Sequence, residues 1–402
     1  MFDLLIKGAR VYDPGANIDG YLDIAVSNGV ISRIAHDIDT SEAEQVMQLQ
    51  GQLLTPGLID MHVHILEGAA TPGLNNLAAP PDLAGVHSGV TTVLDAGTTG
   101  AWNFGVYPKF IAGTAKTRML CMLNIAKTGI LGMVLRKPEI YTVEDVDLAA
   151  LIKVANDYSD LIQGIKLRLV GPALASMGVE LIKLSREASR ETQLPLMVHL
   201  GDLITFNENA GEITKTLLDY LEPGDIITHL YTGVTGGLLD ANNKALPGIK
   251  EVESRGVIFD PAHGRSGLSF DVAQRLADQG VHPHTISTDL TVNGRKGPIY
   301  SLTESMSKFM ALGYSLHDVI LMVTRNAARA VGMSDSLGEI AVGREADLTV
   351  LEIVNGSWNF TDADSKTLIG EQALVPVHTI RAGKLIPLDW GPHPWGWLPQ
   401  SN

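Results

Sequence analysis

The sequence predicts an α/β fold, a parallel (β/α)8 barrel of the TIM type, with a small β-sandwich domain that both chain ends form. Across the middle of the chain, eight short apolar and β-branched segments alternate with helical stretches. Short strand patterns punctuated by turn residues occur near the two ends. An eight-stranded barrel needs about 250 residues plus insertions, and the central span supplies them.

The eight candidate strands are read from their apolar runs and the turn residues that bound them. They lie at 53–64, 91–99, 119–127, 162–170, 194–200, 225–231, 256–263 and 285–290. Amphipathic helical patterns lie between several of them, at 179–192, 213–221 and 270–279. A doubly wound open sheet is the structural alternative. It would carry a Gly-rich phosphate-binding loop after its first strand, and the sequence contains no such motif.

The pattern of apolar, helical and turn residues changes along the sequence and predicts three structural regions. We expect residues 1–52 and 343–390 to form the small β domain, residues 53–342 the barrel, and residues 391–402 a tail rich in Pro and Trp. Self-packing of this tail on its own barrel is favoured over packing on a neighbouring subunit. The Gly- and Pro-containing segment 65–86 is a long loop after the first strand, where an active-site cover is expected.

Composition excludes several classes of partner. The 402 residues include 30 basic and 45 acidic side chains, for a net charge of −15, so we expect neither nucleic acid nor an anionic membrane as a partner. Cys121 is the one cysteine, which excludes an intrachain disulfide and a Cys-rich zinc site. The first residues lack a signal-peptide pattern and no apolar run is long enough to span a bilayer, so the cytoplasm is the expected location. The sequence leaves a homo-oligomer open.

Six polar side chains lie at the ends of the candidate strands or within them. His62 and His64 end the first strand and, being two residues apart, share one face. Barrel active sites lie at the carboxyl ends of the strands, so the whole set is expected to converge there. The alternatives are a core histidine pair, a snorkelling lysine and a helix N-cap at Asp289. The set comprises His62, His64, Lys166, His199, His229 and Asp289.

The lysine in this set needs a change of charge if the site binds a metal. Imidazoles and carboxylates are ligands of catalytic Zn²⁺, whereas an ammonium group repels the cation. A desolvated lysine loses its proton readily. The neutral amine of Lys166 can then add carbon dioxide and become a carbamate, whose two oxygens can bridge two cations.

Several motifs together resemble one family across nearly the whole chain. They are Pro-Gly-x-x-Asp-x-His-x-His at 56–64, Lys166 on the fourth strand, His199 and His229 after the next two, Ser-Thr-Asp at 287–289 and Gly-Arg-Glu-Ala-Asp-Leu at 343–348. This pattern resembles the amidohydrolase superfamily of binuclear metal hydrolases. A finer resemblance, carried by 164–168 and 260–264, is to its dihydroorotase-like branch of deacetylases and esterases.

The resemblance implies a cofactor and a mechanism. Two Zn²⁺ ions would be bridged by carboxylated Lys166, one held also by His62, His64 and Asp289, the other by His199 and His229. Two cations that share a water lower the pKa of that water toward ~7, and one of them polarises the substrate carbonyl. Asp289 would act as general base and then as general acid.

Four further residues are candidates for binding the substrate. Arg168 lies two residues beyond Lys166 on the same strand face, where its guanidinium can clamp a substrate carboxylate; the alternative is a surface ion pair. His263 follows the seventh strand and either orients the substrate or hydrogen-bonds a loop. Tyr231 and Asn293 are candidates of the same kind.

Three functions remain after this reading. The leading hypothesis is a zinc-dependent hydrolase, a deacetylase or esterase acting on small acetylated α-hydroxy or α-amino acids, so that the expected partner is a small anionic substrate. The second is a cyclic amidohydrolase of the dihydroorotase or hydantoinase type. The third is a non-catalytic assembly protein on the same scaffold.

Overall fold

A computed structural model describes residues 1–66, 77–111, 113–130, 139–205 and 207–401. The predicted active-site cover at 65–86 therefore falls partly on residues 67–76, outside the described residues. Within the described ranges, no helix is both long and apolar enough to cross a membrane.

The strands follow the alternation of apolar runs and turns along the chain. They are β1 (Phe2–Lys7), β2 (Arg10–Asp13), β3 (Ile18–Tyr21), β4 (Asp23–Ser27), β5 (Val30–Ala35), β6 (Ala43–Gln48), β7 (Leu53–Pro56), β8 (Leu58–Val63), β9 (Val90–Gly100), β10 (Arg118–Asn124), β11 (Ile162–Arg168), β12 (Leu196–His199), β13 (Ile226–Thr228), β14 (Ile258–Asp260), β15 (Leu348–Thr361), β16 (Thr367–Arg381), β17 (Lys384–Ile386) and β18 (Gln400–Ser401).

The α-helices lie mainly between the central strands. They are α1 (Pro81–Ala84), α2 (Leu148–Asp157), α3 (Gly171–Ser176), α4 (Val179–Thr192), α5 (Ala210–Tyr220), α6 (Ile249–Ser254), α7 (Phe270–Ala277), α8 (Leu302–Ala311), α9 (Leu316–Val323) and α10 (Arg325–Ala330). The three amphipathic patterns read from the sequence correspond to α4, α5 and α7.

The central strands form a curled parallel sheet in chain order, from β8 to β14. The segment 285–290 lies between the two edges of this sheet. His263 N–H donates to Ser287 O at 3.1 Å on one side, and Asp289 N–H donates to His62 O at 2.7 Å on the other. A parallel bridge joins Val63 to Leu290. The predicted TIM-barrel-like fold is confirmed, with an irregular segment as its eighth member.

The predicted first strand, 53–64, is divided between two sheets at Gly57. Leu53–Pro56 (β7) pairs with β15 and β2, whereas Leu58–Val63 (β8) begins the barrel. A Cβ at residue 57 would lie 2.2 Å from Thr91 Oγ1, so only glycine fits this close approach. The prediction of one continuous strand was wrong because an apolar run does not show where a chain changes sheets.

The strands near the chain ends form two sheets. One has the order β5-β4-β1-β6, and the other β17-β16-β15-β7-β2-β3, with β18 paired to β15. Buried side chains of both sheets form one apolar cluster that includes Ile6, Ile24, Leu54, Leu348 and Ile380. Removal of these side chains from water is what holds such sheets together. The predicted β-sandwich of both chain ends is confirmed.

The Pro/Trp-rich tail packs on its own chain. The His393 ring lies 4.3 Å from the Tyr300 ring and 5.5 Å from the Trp395 ring, measured between centroids. His393 Nε2 lies 2.6 Å from Glu304 Oε2 on α8. Self-packing of the tail is therefore what the structure shows.

Candidate metal centre

Six polar side chains meet at the carboxyl ends of the barrel strands. His62 lies in β8 and His64 just after it, Lys166 lies in β11, His199 ends β12, His229 follows β13, and Asp289 lies in the closing segment. Lys166 is 1 % exposed and the four histidines are buried. The structure therefore brings together all six residues that the sequence singled out.

Two of the histidines and the aspartate form a compact group. Asp289 Oδ1 lies 3.2 Å from His64 Nε2 and 3.6 Å from His62 Nε2. One ligand atom from each residue lies within 4.8 Å of the other two, a spacing that can hold a metal ion. Two imidazoles and one carboxylate are the donor set that Zn²⁺ accepts in catalytic sites.

The remaining residues adjoin this group. Lys166 Nζ lies 3.4 Å from His62 Nε2, and the His199 and His229 rings lie 4.1 Å apart. Among the described residues, Nε2 of His199 and Nε2 of His229 are buried and have no hydrogen-bond partner. A buried nitrogen left unpaired costs about 1–3 kcal/mol, and a metal ion removes that cost. The residues therefore fit a metal centre.

Hydrogen bonds behind the rings fix their tautomers. Thr98 donates its hydroxyl hydrogen to Asp95 at 2.7 Å, so this hydroxyl must accept the hydrogen of His64 Nδ1, which lies 2.9 Å away. His229 Nδ1 likewise donates to Ala262 O at 2.9 Å. In each ring the lone pair is left on Nε2, which is the form a metal requires.

The same arrangement supports His62 through two residues that sequence reasoning missed. Thr228 Oγ1 donates to Asp260 Oδ2 at 3.1 Å and accepts from His62 Nδ1 at 2.8 Å. Asp95 and Asp260 are isolated carboxylates in the apolar strands β9 and β14. An isolated carboxylate in an apolar strand was the sequence signal that could have identified these supporting residues. Asp60, beneath the histidines, accepts from Thr288 Oγ1 at 2.6 Å, and burial raises its pKa to about 7.

Burial favours the neutral form of most basic groups of the site. It lowers the pKa of Lys166 to about 7 and that of His229 to about 4. Burial, and then the neighbouring cationic groups, also lower the pKa of His62 and of His199. For Asp289, burial raises the pKa, but the interactions with the basic side chains around it, His64 first, outweigh burial, and the net pKa is lowered. Burial therefore favours the forms of Lys166, His62, His199 and His229 that carry a lone pair, as a metal ligand must.

A cavity of about 220 Å³ opens over this cluster. Two arginines and several neutral polar groups line it together with the cluster. The lining among described residues is His62, His64, Leu77, Ile130, Lys166, Arg168, His199, Leu203, Arg265, Ser266, Asp289, Thr291 and Asn293. The site therefore combines a candidate metal centre with positive charge for a small ligand.

Residues 53–386 match the amidohydrolase family. The chain belongs to this family. The resemblance inferred from the sequence is thereby confirmed, and the protein is a metal-dependent hydrolase of the amidohydrolase type.

Named relatives of this amidohydrolase include deacetylases and a dihydroorotase. A deacetylase of Enterococcus faecalis is 31% identical over 388 residues, covering 96% of this chain and 99% of the relative. A deacetylase of Brucella anthropi is 28% identical over 92% of this chain and 90% of its own length. A dihydroorotase of Aquifex aeolicus is 22% identical and covers 97% of this chain and 100% of its own.

Two solved structures are similar to this amidohydrolase over nearly all of its length. A protein described as an adenine deaminase is 30% identical with a TM-score of 0.86, covering 96% of this chain and 100% of that one. A protein described as a dihydroorotase is 25% identical with a TM-score of 0.84, covering 96% and 99%. Their names differ, so likeness alone leaves the substrate open.

The predicted substrate-binding residues lie in different surroundings. Arg168 lines the cavity but is buried and forms an ion pair with Glu139, whose side chain is 7 % exposed. The alternative considered for Arg168 was a surface ion pair; the ion pair that the structure shows is buried. Asn293 also lines the cavity.

His263 and Tyr231 face other partners. His263 Nε2 lies 2.9 Å from Lys308 Nζ, and its Nδ1 donates to Gly264 O. Tyr231 is buried, and its hydroxyl lies 3.1 Å from the hydroxyl of Tyr314. Neither residue is among those that line the described part of the cavity.

Two positions show how tightly the backbone packs around the site. Gly97 has φ +84°, and a Cβ there would lie 2.6 Å from Lys166 Cβ. Gly264 has φ +47°, and a Cβ there would lie 2.3 Å from Asp289 Oδ2. Both conditions favour glycine, so the cluster depends on residues that carry no chemistry.

Proposed function

We propose that this amidohydrolase is a zinc-dependent deacetylase or esterase of small acetylated carboxylic acids. The observation that carries the proposal is the pair of unpartnered, buried Nε2 atoms of His199 and His229 beside the His62, His64 and Asp289 group. The deacetylase names of relatives that match nearly the whole chain support the reaction. The arginines at the cavity support an anionic substrate.

The six clustered residues would hold two Zn²⁺ ions. His62, His64 and Asp289 would hold one, His199 and His229 the other, and a carboxylated Lys166 would bridge them. Carboxylation joins the neutral amine of Lys166 to carbon dioxide and releases one proton; burial supplies the neutral amine. Bound there, the ions would lower the pKa of an attacking water and polarise the acetyl carbonyl.

The residues of the chain would handle the protons. Asp289 takes the proton of the attacking water as the oxygen adds to the acetyl carbonyl. It returns that proton to the leaving oxygen or nitrogen as the bond to the acetyl carbon breaks. Acetate and a free hydroxy or amino acid are the products.

Cyclic amide hydrolysis is the second candidate. The dihydroorotase names of a full-length relative and of a similar solved structure favour it. The same residues would serve both reactions, since only the tether between the two products differs. The assembly-protein alternative is not kept, because the family and the named relatives are enzymes.

A substrate panel tests the proposal. Zinc-loaded protein would be assayed on acetyl-lactate, N-acetyl amino acids, dihydroorotate, a hydantoin and adenine, with metal content measured in parallel. We expect turnover of an acetylated acid, loss of that turnover after chelation, and its return with Zn²⁺. Absence of turnover on every acetylated acid, or activity that survives removal of the metal, contradicts the proposal.

A pair of histidine variants completes this test. His199→Asn should lower both metal content and activity. The matched control is His36→Asn, because His36 is exposed on the β-sandwich. Equal metal content in the two variants would remove His199 from the ligand set.

A further inference from the structure

We infer that Arg265 is the residue that binds the carboxylate of the substrate and so determines specificity for acids. This inference rests on the proposed function and deepens it. Arg265 lines the cavity beside the metal cluster, and its neighbours in the chain are held close to Asp289. The ligand class is a small acid whose carboxylate lies within a few bonds of the scissile acetyl group.

The two arginines of the cavity differ in their availability. Arg168 is buried against Glu139, so its charge already has a counter-charge within the protein. Arg265 is exposed, and among the described residues it makes no hydrogen bond or ion pair. A guanidinium offers five N–H donors in a planar fork that suits a carboxylate. Arg265 therefore presents an uncompensated donor set to the cavity.

The backbone on both sides of Arg265 is fixed. Gly264 N–H donates to Thr288 O at 2.8 Å, and Gly267 N–H donates to His263 O at 2.9 Å. Thr232 Oγ1 donates to Ser266 O at 2.8 Å. Because the loop is already ordered, binding would cost mainly the rotamer freedom of one side chain.

A buried lysine holds the start of this loop. Lys308 is 0 % exposed and its Nζ lies 2.9 Å from His263 Nε2. His263 Nδ1 donates to Gly264 O at 2.9 Å, so the imidazole links α8 to the residue before Arg265. The sequence suggested that His263 contacts the substrate. Here His263 instead positions Arg265, which makes that contact.

The reach from Arg265 to the chemistry is short. Gly264 packs so closely on Asp289 that a Cβ would lie 2.3 Å from its Oδ2. An acetylated α-hydroxy or α-amino acid carries its carboxylate on the carbon that bears the scissile group. Both ends of such a molecule fit one cavity of about 220 Å³. A carboxylate at Arg265 would leave the acetyl carbonyl beside the metal cluster.

The charge of the whole protein makes a local cation necessary. The chain carries a net charge of −15, which repels anions in general. Arg265 supplies positive charge at the cavity, and among the described residues no carboxylate forms an ion pair with it. A hydrogen bond between a charged guanidinium and a carboxylate is stronger than one between neutral groups.

The test compares acids with isosteric amides. Wild type, Arg265→Gln and the control Arg275→Gln would be assayed as zinc-loaded proteins on acetyl-lactate and acetyl-lactamide. Arg275 is exposed on α7, so Arg275→Gln removes the same charge at a position away from the cavity. We expect the ratio of kcat/KM for the acid to kcat/KM for the amide to fall roughly tenfold in Arg265→Gln, mainly through KM. The ratio should not change in Arg275→Gln.

A binding measurement separates this inference from the proposed function. Lactate and lactamide would be titrated into the same three proteins by calorimetry, which needs no turnover. A selective loss of lactate affinity in Arg265→Gln supports the role of Arg265 even if no acetylated acid is hydrolysed. Equal lactate affinity in all three proteins, or an unchanged acid-to-amide ratio, overturns it. Turnover of acetylated acids with no effect of Arg265→Gln would uphold the proposed function and reject this residue.

Discussion

His64 Nε2 lies 3.2 Å from Asp289 Oδ1, and this contact joins the first strand of the barrel to the segment that closes it. The backbone makes the same connection, because Asp289 N–H donates to His62 O. A metal held by these side chains would therefore bind the closed ring and not the unfolded chain. Metal affinity and barrel stability should be coupled.

Metal removal should lower thermal stability. A ligand at a hundred times its Kd stabilises a folded protein by about 2.7 kcal/mol. We expect zinc to raise Tm by several degrees in the wild type and by much less in His64→Ala, as measured by calorimetric scans with and without chelator. Equal zinc-dependent shifts in the two proteins would show that the ion binds elsewhere.

Lys166→Ala should remove the bridge that we propose between two Zn²⁺ ions. We expect the variant to lose most of its activity and to bind less zinc, and short carboxylic acids such as acetate should restore part of both by replacing the carbamate. The matched control is Lys183→Ala, an exposed lysine of α4. Unchanged metal content and rate in Lys166→Ala would refute the bridging role.

The meeting of the six polar side chains could be predicted from the sequence because each lies at the end of an apolar run or within one, and a parallel barrel brings all strand ends to one rim. Its supports could not be predicted in this way. Thr98 and Thr228 each donate their one hydroxyl hydrogen to an aspartate, so each hydroxyl must accept a hydrogen bond from a histidine. Residue spacing in the sequence does not show this. Glu139 neutralises Arg168 from an irregular segment outside the strands.

Local pattern also misplaced two features for a related reason. The apolar run at 53–64 hid a change of sheet at Gly57, which depends on the approach of Thr91. His263 ends a predicted strand as the metal ligands do, but Lys308 of α8 occupies its Nε2. In both cases a residue distant in the sequence decides the outcome.

Lys308 should give the protein a distinctive pH dependence. Burial lowers the pKa of Lys308 to about 8 from an ordinary 10.5, against the opposing charges of Glu304 and Asp362. Between these two pH values the unfolded chain binds more protons, so the free energy of unfolding contributed by this group rises with pH. Wild type should gain Tm relative to Lys308→Met between pH 7.5 and 10.

Lys308→Arg is the control for that comparison, because arginine stays charged across the range. Both variants should lack the gain that wild type shows. Parallel Tm profiles for all three proteins would mean that Lys308 has the same pKa in the folded and unfolded states.

The tail should contribute to stability through His393. His393→Ala would leave the Glu304 carboxylate, which is 3 % exposed, without the imidazole that lies 2.6 Å away. Loss of a buried polar partner costs about 1–3 kcal/mol. We expect His393→Ala to have a lower Tm than wild type. Trp390→Ala should have an unchanged Tm, since Trp390 is 72 % exposed. A Tm equal to that of wild type in His393→Ala would show that the tail contact adds nothing.

Gly97→Ala should impair the metal site without touching a ligand. The added Cβ would lie 2.6 Å from Lys166 Cβ, at a backbone φ of +84° that L side chains rarely adopt. Lys166 must then shift from its present position, and zinc content and activity should fall together. Gly105→Ala is the matched control, because a Cβ there meets nothing within 4 Å. If Gly97→Ala folds, with wild-type circular dichroism, and still binds zinc at wild-type stoichiometry, the position of Lys166 does not control the metal centre.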